Sequence, residues 1–204
     1  MRVLVLGAQK GGSGKSTLAL SLAVAAMQAG ERVAGLDADP QKSFAKWGER
    51  RGNDDIVVRA MAAGEIETML TRAERNGFTL AVVDTPGALN ASVTHVLRRS
   101  DLCLIPCRPS LMDIEATAEL VNILSVVERR YAYVLSQTDG RTPGRVQEAR
   151  ELLTEAGTVA PGSIGWRTAH QDAINGGRGV TELGGTASDE IAALWQWVAT
   201  QLPA

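Results

Sequence analysis

The 204-residue sequence predicts an α/β fold, a mainly parallel sheet with helices on both faces. Three observations carry that expectation. Short apolar runs recur along the whole chain. Most are continuous rather than alternating, the pattern of strands buried on both faces. Helical segments lie between them, so strand and helix alternate. Hydrophobic residues make up 45% and charged residues 22%, ordinary values that exclude a disordered chain. With no linker, repeat or low-complexity tract, the expectation is one domain over residues 1–204.

The strands are expected at Arg2–Gly7, Arg32–Asp37, Ile56–Ala60, Thr79–Asp84, Leu102–Pro106 and Tyr131–Gln137. Between the first two, Ser16–Ala29 carries Leu18, Leu22 and Ala26 on one face and stops at Gly30, a residue suited to ending a helix. Glu65–Asn76 stops at Gly77 in the same way. Ser110 is a good N-cap for a helix over Leu111–Arg129. Pro143 suits the first turn of a helix reaching Ala156. Asn175–Gly179 and Gly184–Thr186 are loop signals, and Ser188–Leu202 reads as a final amphipathic helix with Ile191, Leu194, Trp195, Val198 and Leu202 on its apolar face.

Charge and composition narrow the function. The net charge of −2 gives no global attraction to nucleic acid or membrane, so any such binding needs a local patch. Two cysteines exclude a disulfide scaffold. Cys103 and Cys107 fall on a buried strand, with no further cysteine to complete a metal site in one chain. His95 and His170 stand apart from other ligating residues. No apolar run approaches the length of a transmembrane helix, and the opening run is too short for a signal peptide. The final helix has no basic residue on its polar face, which argues against a membrane-surface role. The expected location is the cytoplasm.

The strongest motif is Lys10–Thr17, KGGSGKST, placed after one expected strand and before one expected helix. This is the context of a phosphate-binding loop and makes the fold a P-loop NTPase. Gly11, Gly12 and Gly14 permit unusual backbone torsions and close approach of amides to a phosphate. With Ser13, these amides form an anion nest at a helix start. Lys15 would reach the β and γ phosphates, Ser16 would offer its hydroxyl to Mg²⁺, and Thr17 would support the α phosphate. The general pattern asks for glycine at position 9; this chain has Gln9, followed by a second lysine, Lys10.

Two further strands end in carboxylates, Asp37-Ala38-Asp39-Pro40-Gln41 and Asp84-Thr85-Pro86-Gly87. Ligands of open α/β sheets bind beyond the carboxyl ends of the strands, so both clusters are expected beside the phosphate loop. Asp84 fits the Walker B role of holding Mg²⁺ through a water. Asp37 would help the metal shell. Asp39, one step further out, would orient the attacking water, or else serve as a cap before Pro40.

KGGSGKST, DADPQ and VVDTPG together resemble the ParA/MinD group of deviant-Walker ATPases, with the greatest likeness to small ParA-type partition proteins. The resemblance covers nearly the whole chain. It implies ATP hydrolysis with Mg²⁺, Lys10 as a signature lysine that reaches the nucleotide of a partner subunit in an ATP-sandwich homodimer, and Asp39 as the residue that activates water. It further implies non-specific DNA binding by the dimer, association with the nucleoid, and a ParB-like or other adaptor that stimulates hydrolysis. The segment Pro106–Asp113 resembles the family's P-x-x-x-x-x-x-D stretch near the dimer face. Ser136-Gln137-Thr138-Asp139 stands where the family often carries an asparagine that reads adenine; here Gln137 takes that place. Ile164–Glu182 resembles the late segment beside the nucleotide.

Seventeen arginines against four lysines leave arginine to supply any DNA contact, with Arg98, Arg99, Arg129, Arg130, Arg141, Arg145, Arg150, Arg167 and Arg178 as candidates. Glu148, Glu151 and Glu155 dilute that charge, and scattered solvated arginines are the plain alternative. The expected function is positioning of a plasmid, a chromosome or another large cargo. A metabolic P-loop ligase of the dethiobiotin synthetase kind, a MinD-like spatial regulator and a regulator that only binds nucleotide are the rival readings.

Overall fold

The computed structural model describes residues 1–203. Seven parallel strands form the sheet: β1 (Arg2–Leu6), β2 (Val33–Asp37), β3 (Ile56–Ala60), β4 (Leu80–Asp84), β5 (Leu102–Cys107), β6 (Tyr131–Thr138) and β7 (Ile164–Gly165). Their spatial order is β3-β2-β4-β1-β5-β6-β7. From β1 the chain crosses to β2 and β3, returns through β4, then builds outward on the other side. The reversal occurs beside β1, which places a crevice at its carboxyl end.

Along β1 the side chains divide by alternation. Leu4 and Leu6 join one apolar cluster, Val3 and Val5 the other. The first cluster lies under α1 (Lys15–Gln28), α2 (Ser43–Arg51), α8 (Thr168–Asn175) and α9 (Thr186–Gln201). The second lies under α3 (Ile66–Arg75), α4 (Ala91–Arg98), α6 (Ala118–Val126) and α7 (Pro143–Ala156). Both faces are therefore covered, as the unbroken apolar strands require.

Helix α1 carries ten buried residues and begins at Gly14, whose φ of 97° lies in the left-handed region. No side chain caps this end, so its first amides stay available to an anion. Gly30, at φ 95°, follows the helix as expected. Helix α9 presses Ile191, Leu194, Trp195 and Val198 into the first cluster. No helix among the described residues is long and apolar enough to cross a membrane.

The helix expected over Leu111–Arg129 is two. Ser110 does cap it, accepting from the Asp113 amide, but α5 (Leu111–Glu115) stops after five residues and α6 starts at Ala118. At the break the Thr117 amide and hydroxyl both donate to the Ile114 carbonyl, at 3.0 Å and 2.7 Å, a tighter three-residue spacing. Helices α2, α4 and α8 are additional to the expected elements, although Val93, Val96 and Leu97 of α4 are buried at helical spacing. In α2 the buried residues are Phe44, Ala45 and Trp47 alone, in a segment otherwise dominated by charge.

Candidate functional site

The crevice at the end of β1 holds the phosphate loop. Gly12 adopts φ 74°, and nothing lies within 4 Å of where a Cβ would stand. The requirement for glycine there is thus the torsion, not space. Lys15 is buried, 7% exposed, at the base of the loop. The end of β6 clamps the loop from the side: the Ser136 hydroxyl donates to the Ser13 carbonyl at 3.0 Å and the Gln137 amide donates to the Gly12 carbonyl at 2.5 Å. Gln137 does this from a left-handed φ of 53°, a strained backbone for a residue with a side chain.

Asp37 and Asp84 are paired across β2 and β4 in the sheet register. Both are buried. Asp37 engages both oxygens with backbone: Oδ1 accepts from the Asp39 amide at 3.0 Å and Oδ2 from the Ala45 amide at 2.9 Å. Burial raises its pKa, and these amides act in the opposite sense. It thereby ties the loop after β2 to the first turn of α2. Asp84 accepts the Ser16 hydroxyl on Oδ2 at 2.5 Å, while Oδ1 is buried without a partner. Burial pushes the Asp84 carboxyl up to about 7, Asp37 and Asp39 adding to the rise while the Ser16 bond and Lys15 oppose it.

A buried carboxylate oxygen with no donor, beside a serine hydroxyl and a lysine, is unfavourable as it stands. A divalent cation is the ligand that would satisfy it, and hard oxygen donors are what Mg²⁺ takes. Ser16 and Asp84 fit that ion; Asp37 stands behind them.

Asp39 is less buried. Its Oδ1 accepts from the Gln41 amide at 2.8 Å, closing a tight turn before α2. It lines a cleft of about 590 Å³ together with the phosphate loop, Pro40, Pro86 and Gly87. Asp37 and Asp84 are buried at the strand ends, so of the three expected carboxylates only Asp39 lines this cleft. A second, narrower cavity of about 100 Å³ adjoins it, sharing Gly14, Thr17 and Ile174, with Gln137, Trp166 and His170 in its wall.

Lys10 sits at the outer end of the loop. Its Nζ lies 3.2 Å from Asp113 Oδ1, and Arg108 reaches the same carboxylate at 2.9 Å. The role of Arg108 is invisible to motif reading, because the pairing depends on how the turn after β5 is placed. His170, which sequence spacing leaves isolated, belongs to the narrower cavity.

The candidate arginines do not form one free patch. Arg99 pairs with Glu67, Arg141 with Asp139 and Arg167 with Glu190. Arg130 donates to the Gln201 carbonyl, and Arg150 to the carbonyls of Ala160 and Gly162. Arg98, Arg129, Arg145 and Arg178 make no ion pair among the described residues. Cys103 and Cys107 are buried, and no cluster of metal-ligating side chains forms among the described residues.

A parallel sheet reversing at β1, a left-handed glycine loop opening α1 and a Ser16–Asp84 pair beneath it define a P-loop nucleotide-binding protein. The family model of the CobQ/CobB/MinD/ParA nucleotide binding domain matches residues 4–180. The chain belongs to that family, and within it is a ParA/MinD-type ATPase. It is 32% identical over 204 residues to maintenance of carboxysome distribution protein A of Gloeobacter kilaueensis, covering 98% of this chain and 94% of that one. The MinD–MinC cell division protein complex of Aquifex aeolicus superposes with a TM-score of 0.83 at 16% identity, covering 100% of this chain and 98% of that one. A Cyanothece McdA variant in complex with ATP superposes with a TM-score of 0.78 at 18% identity, covering 98% and 96%. These two structures share the fold.

Proposed function

We propose that the chain is a positioning ATPase of ParA type, which distributes a plasmid, a chromosome region or another large cargo through an ATP-driven cycle. The observation that carries this reading is the unpartnered Asp84 oxygen beneath a phosphate loop whose outer end presents a lysine, Lys10, toward solvent. The likeness to a carboxysome distribution protein over nearly the full length supports the positioning role.

In this reading the amides of Gly11 to Thr17 bind the phosphates, and Lys15 neutralises the β and γ groups. Ser16 and Asp84 hold Mg²⁺, with Asp37 fixing the strand end behind them. A bound magnesium ion supplies charge neutralisation on the phosphate oxygens. Asp39 orients the attacking water from the rim of the cleft. Lys10 leaves Asp113 and serves the nucleotide of a second copy, which makes ATP-bound dimerisation part of the cycle. The dimer binds DNA without sequence preference, drawing on arginines that are not already paired, and an adaptor protein stimulates hydrolysis.

Size-exclusion chromatography with light scattering tests the cycle. ATP and magnesium should convert the wild type from monomer to dimer, Lys15→Ala should stay monomeric, and Asp39→Ala should remain dimeric. A mass that ignores nucleotide overturns the dimer cycle. Turnover that requires a small organic co-substrate instead points to a metabolic ligase. DNA affinity should need ATP and fall steeply with salt; a salt-insensitive interaction removes DNA from the proposal.

A further inference from the structure

Helix α3 connects β3 to β4, and β2 lies between those two strands. The helix therefore packs over β2, where Leu36 meets Ile66 and Leu70 in the second cluster, and leaves the edge strand β3 partly bare on that face. Alternation along β3 turns Ile56 and Val58 into the first cluster, so Val57 and Arg59 face the side of α3. A groove of about 420 Å³ runs there between the strands and the helix. Leu36 and Val57 form an apolar floor, and Met69 of α3 an apolar wall. Three arginines stand around it: Arg32 just before β2, Arg59 on β3 and Arg72 on α3.

No carboxylate lines the groove. None of the three arginines enters an ion pair among the described residues. Glu31 and Glu74, sequence neighbours of Arg32 and Arg72, are engaged elsewhere. Glu31 holds Arg2 at 2.6 Å, and Glu74 holds the N-terminal amine at 2.8 Å. Arg32 is fixed at the rim, donating to the Gly77 carbonyl at 3.0 Å and lying over the Phe78 ring at 5.5 Å. The whole chain has a net charge of −2, so this local excess of cations runs against its composition. Charge of one sign gathered round a concave surface attracts the opposite sign.

We propose that this groove docks an acidic, amphipathic segment of a partner protein, its carboxylates meeting Arg32, Arg59 and Arg72 and its apolar side chains resting on Leu36 and Val57. Such a segment uses both parts of the groove. A nucleic-acid backbone satisfies the arginines and leaves the apolar floor unused. A wholly apolar segment leaves three guanidinium groups unmet and pays their desolvation. The groove shares no lining residue with the phosphate-loop cleft, so the inference does not rest on the nucleotide reading.

Fluorescence anisotropy with the nucleotide-free protein at low salt tests it. The labelled probes are a helical peptide of leucine, alanine and glutamate with its leucines on one face, the same peptide with lysine for glutamate, polyglutamate, and duplex DNA. The leucine–glutamate peptide should bind with a Kd on the order of 50 μM, and the other probes at least about tenfold more weakly. Arg59→Gln and Arg72→Gln should each weaken it by about two- to fivefold, the worth of one exposed charge pair. Both side chains are exposed, so melting temperatures should stay at the wild-type value. Arg98→Gln, which removes an exposed arginine outside the groove, should leave the peptide affinity unchanged. Absence of saturable binding overturns the proposal, as does an affinity that ignores Arg59 and Arg72. Polyglutamate or the lysine peptide binding as tightly overturns it, as does an equal loss in Arg98→Gln, which would reduce the effect to net charge. Duplex DNA that binds more tightly than the peptide, and is lost in the same variants, assigns the groove to nucleic acid and overturns it too.

Discussion

Lys10 and Arg108 share one carboxylate, that of Asp113, at 3.2 Å and 2.9 Å. Burial pushes the Asp113 carboxyl up, but hydrogen bonds from Ser110, Arg108 and Lys10 together hold it below its ordinary range. Lys10 keeps 40% of its side chain exposed, so it is held weakly enough to leave. In the free subunit this intrachain pair competes with any use of Lys10 by a second copy.

Replacing that carboxylate tests the competition. Asp113→Asn retains the hydrogen bond with Ser110 but removes the charge that holds Lys10. A partly exposed pair contributes up to about 1 kcal/mol, so the ATP-bound dimer should tighten by about fivefold in sedimentation velocity at low salt. Lys10→Ala added to Asp113→Asn should abolish the gain. An unchanged or weaker dimer in Asp113→Asn would show that the pair does not restrain association.

Binding and chemistry should separate cleanly between Lys15 and Asp39. Lys15→Ala leaves the loop without its buried cation, and the rise in melting temperature given by ATP and magnesium should vanish. Asp39→Ala should keep that rise while hydrolysis falls by about 10²-fold or more, the scale of a lost acid–base group. A phosphate-release assay in which Asp39→Ala turns over at the wild-type rate would remove Asp39 from the chemistry.

Arg51 predicts the acid limit of the fold. Its side chain is 4% exposed, and its guanidinium bonds Asp55 at 2.7 Å and Glu182 at 2.8 Å, joining α2 to the turn before α9. Arg51 hydrogen bonds hold both carboxyls below their ordinary values of 3.8 and 4.5. The unfolded chain therefore takes up protons first, and stability falls as pH drops from about 5 through the folded values. Urea unfolding of Arg51→Met at pH 7 should show a loss of about 2 kcal/mol, since two carboxylates lose their partner. That difference should shrink below pH 4. A constant difference across pH would assign the loss to packing on Trp47, over which the guanidinium lies at 5.4 Å.

Glycine at position 35 should resist substitution for a steric reason. A Cβ there would stand 2.7 Å from the Phe44 ring, which fills the space between β2 and α2. Gly35→Ala should cost about 1–3 kcal/mol by overpacking. Gly64→Ala, where nothing lies within 4 Å, should shift stability by no more than about 0.5 kcal/mol. Equal melting temperatures for the two variants would show that the core yields at Phe44.

The strands and the phosphate loop were legible because each is written in contiguous residues. β1 to β6 announce themselves as apolar runs, and KGGSGKST sits where strand gives way to helix. Helices α2, α4 and α8 were less legible because each is only eight or nine residues long and is held by two or three buried anchors. Trp47 is one such anchor: its indole N–H donates to the Arg178 carbonyl at 3.0 Å, across 131 positions of sequence. The break in the helix after Ser110 likewise falls at Ala116 and Thr117, with no glycine or proline to announce it.

What the amino-acid order alone determined is the fold class and the ligand-binding chemistry of the loop, since backbone torsions and strand burial are local properties of residue type. Only the tertiary structure decided which charges meet. Asp37 stands beside Asp84 because β2 and β4 are neighbours in the sheet though 47 positions separate the two residues. Lys10 faces Asp113, Arg51 lies between two carboxylates and His170 is left without a partner for the same reason: the contact of side chains distant in sequence is set by how strands are ordered and helices laid upon them, and no local pattern encodes that order.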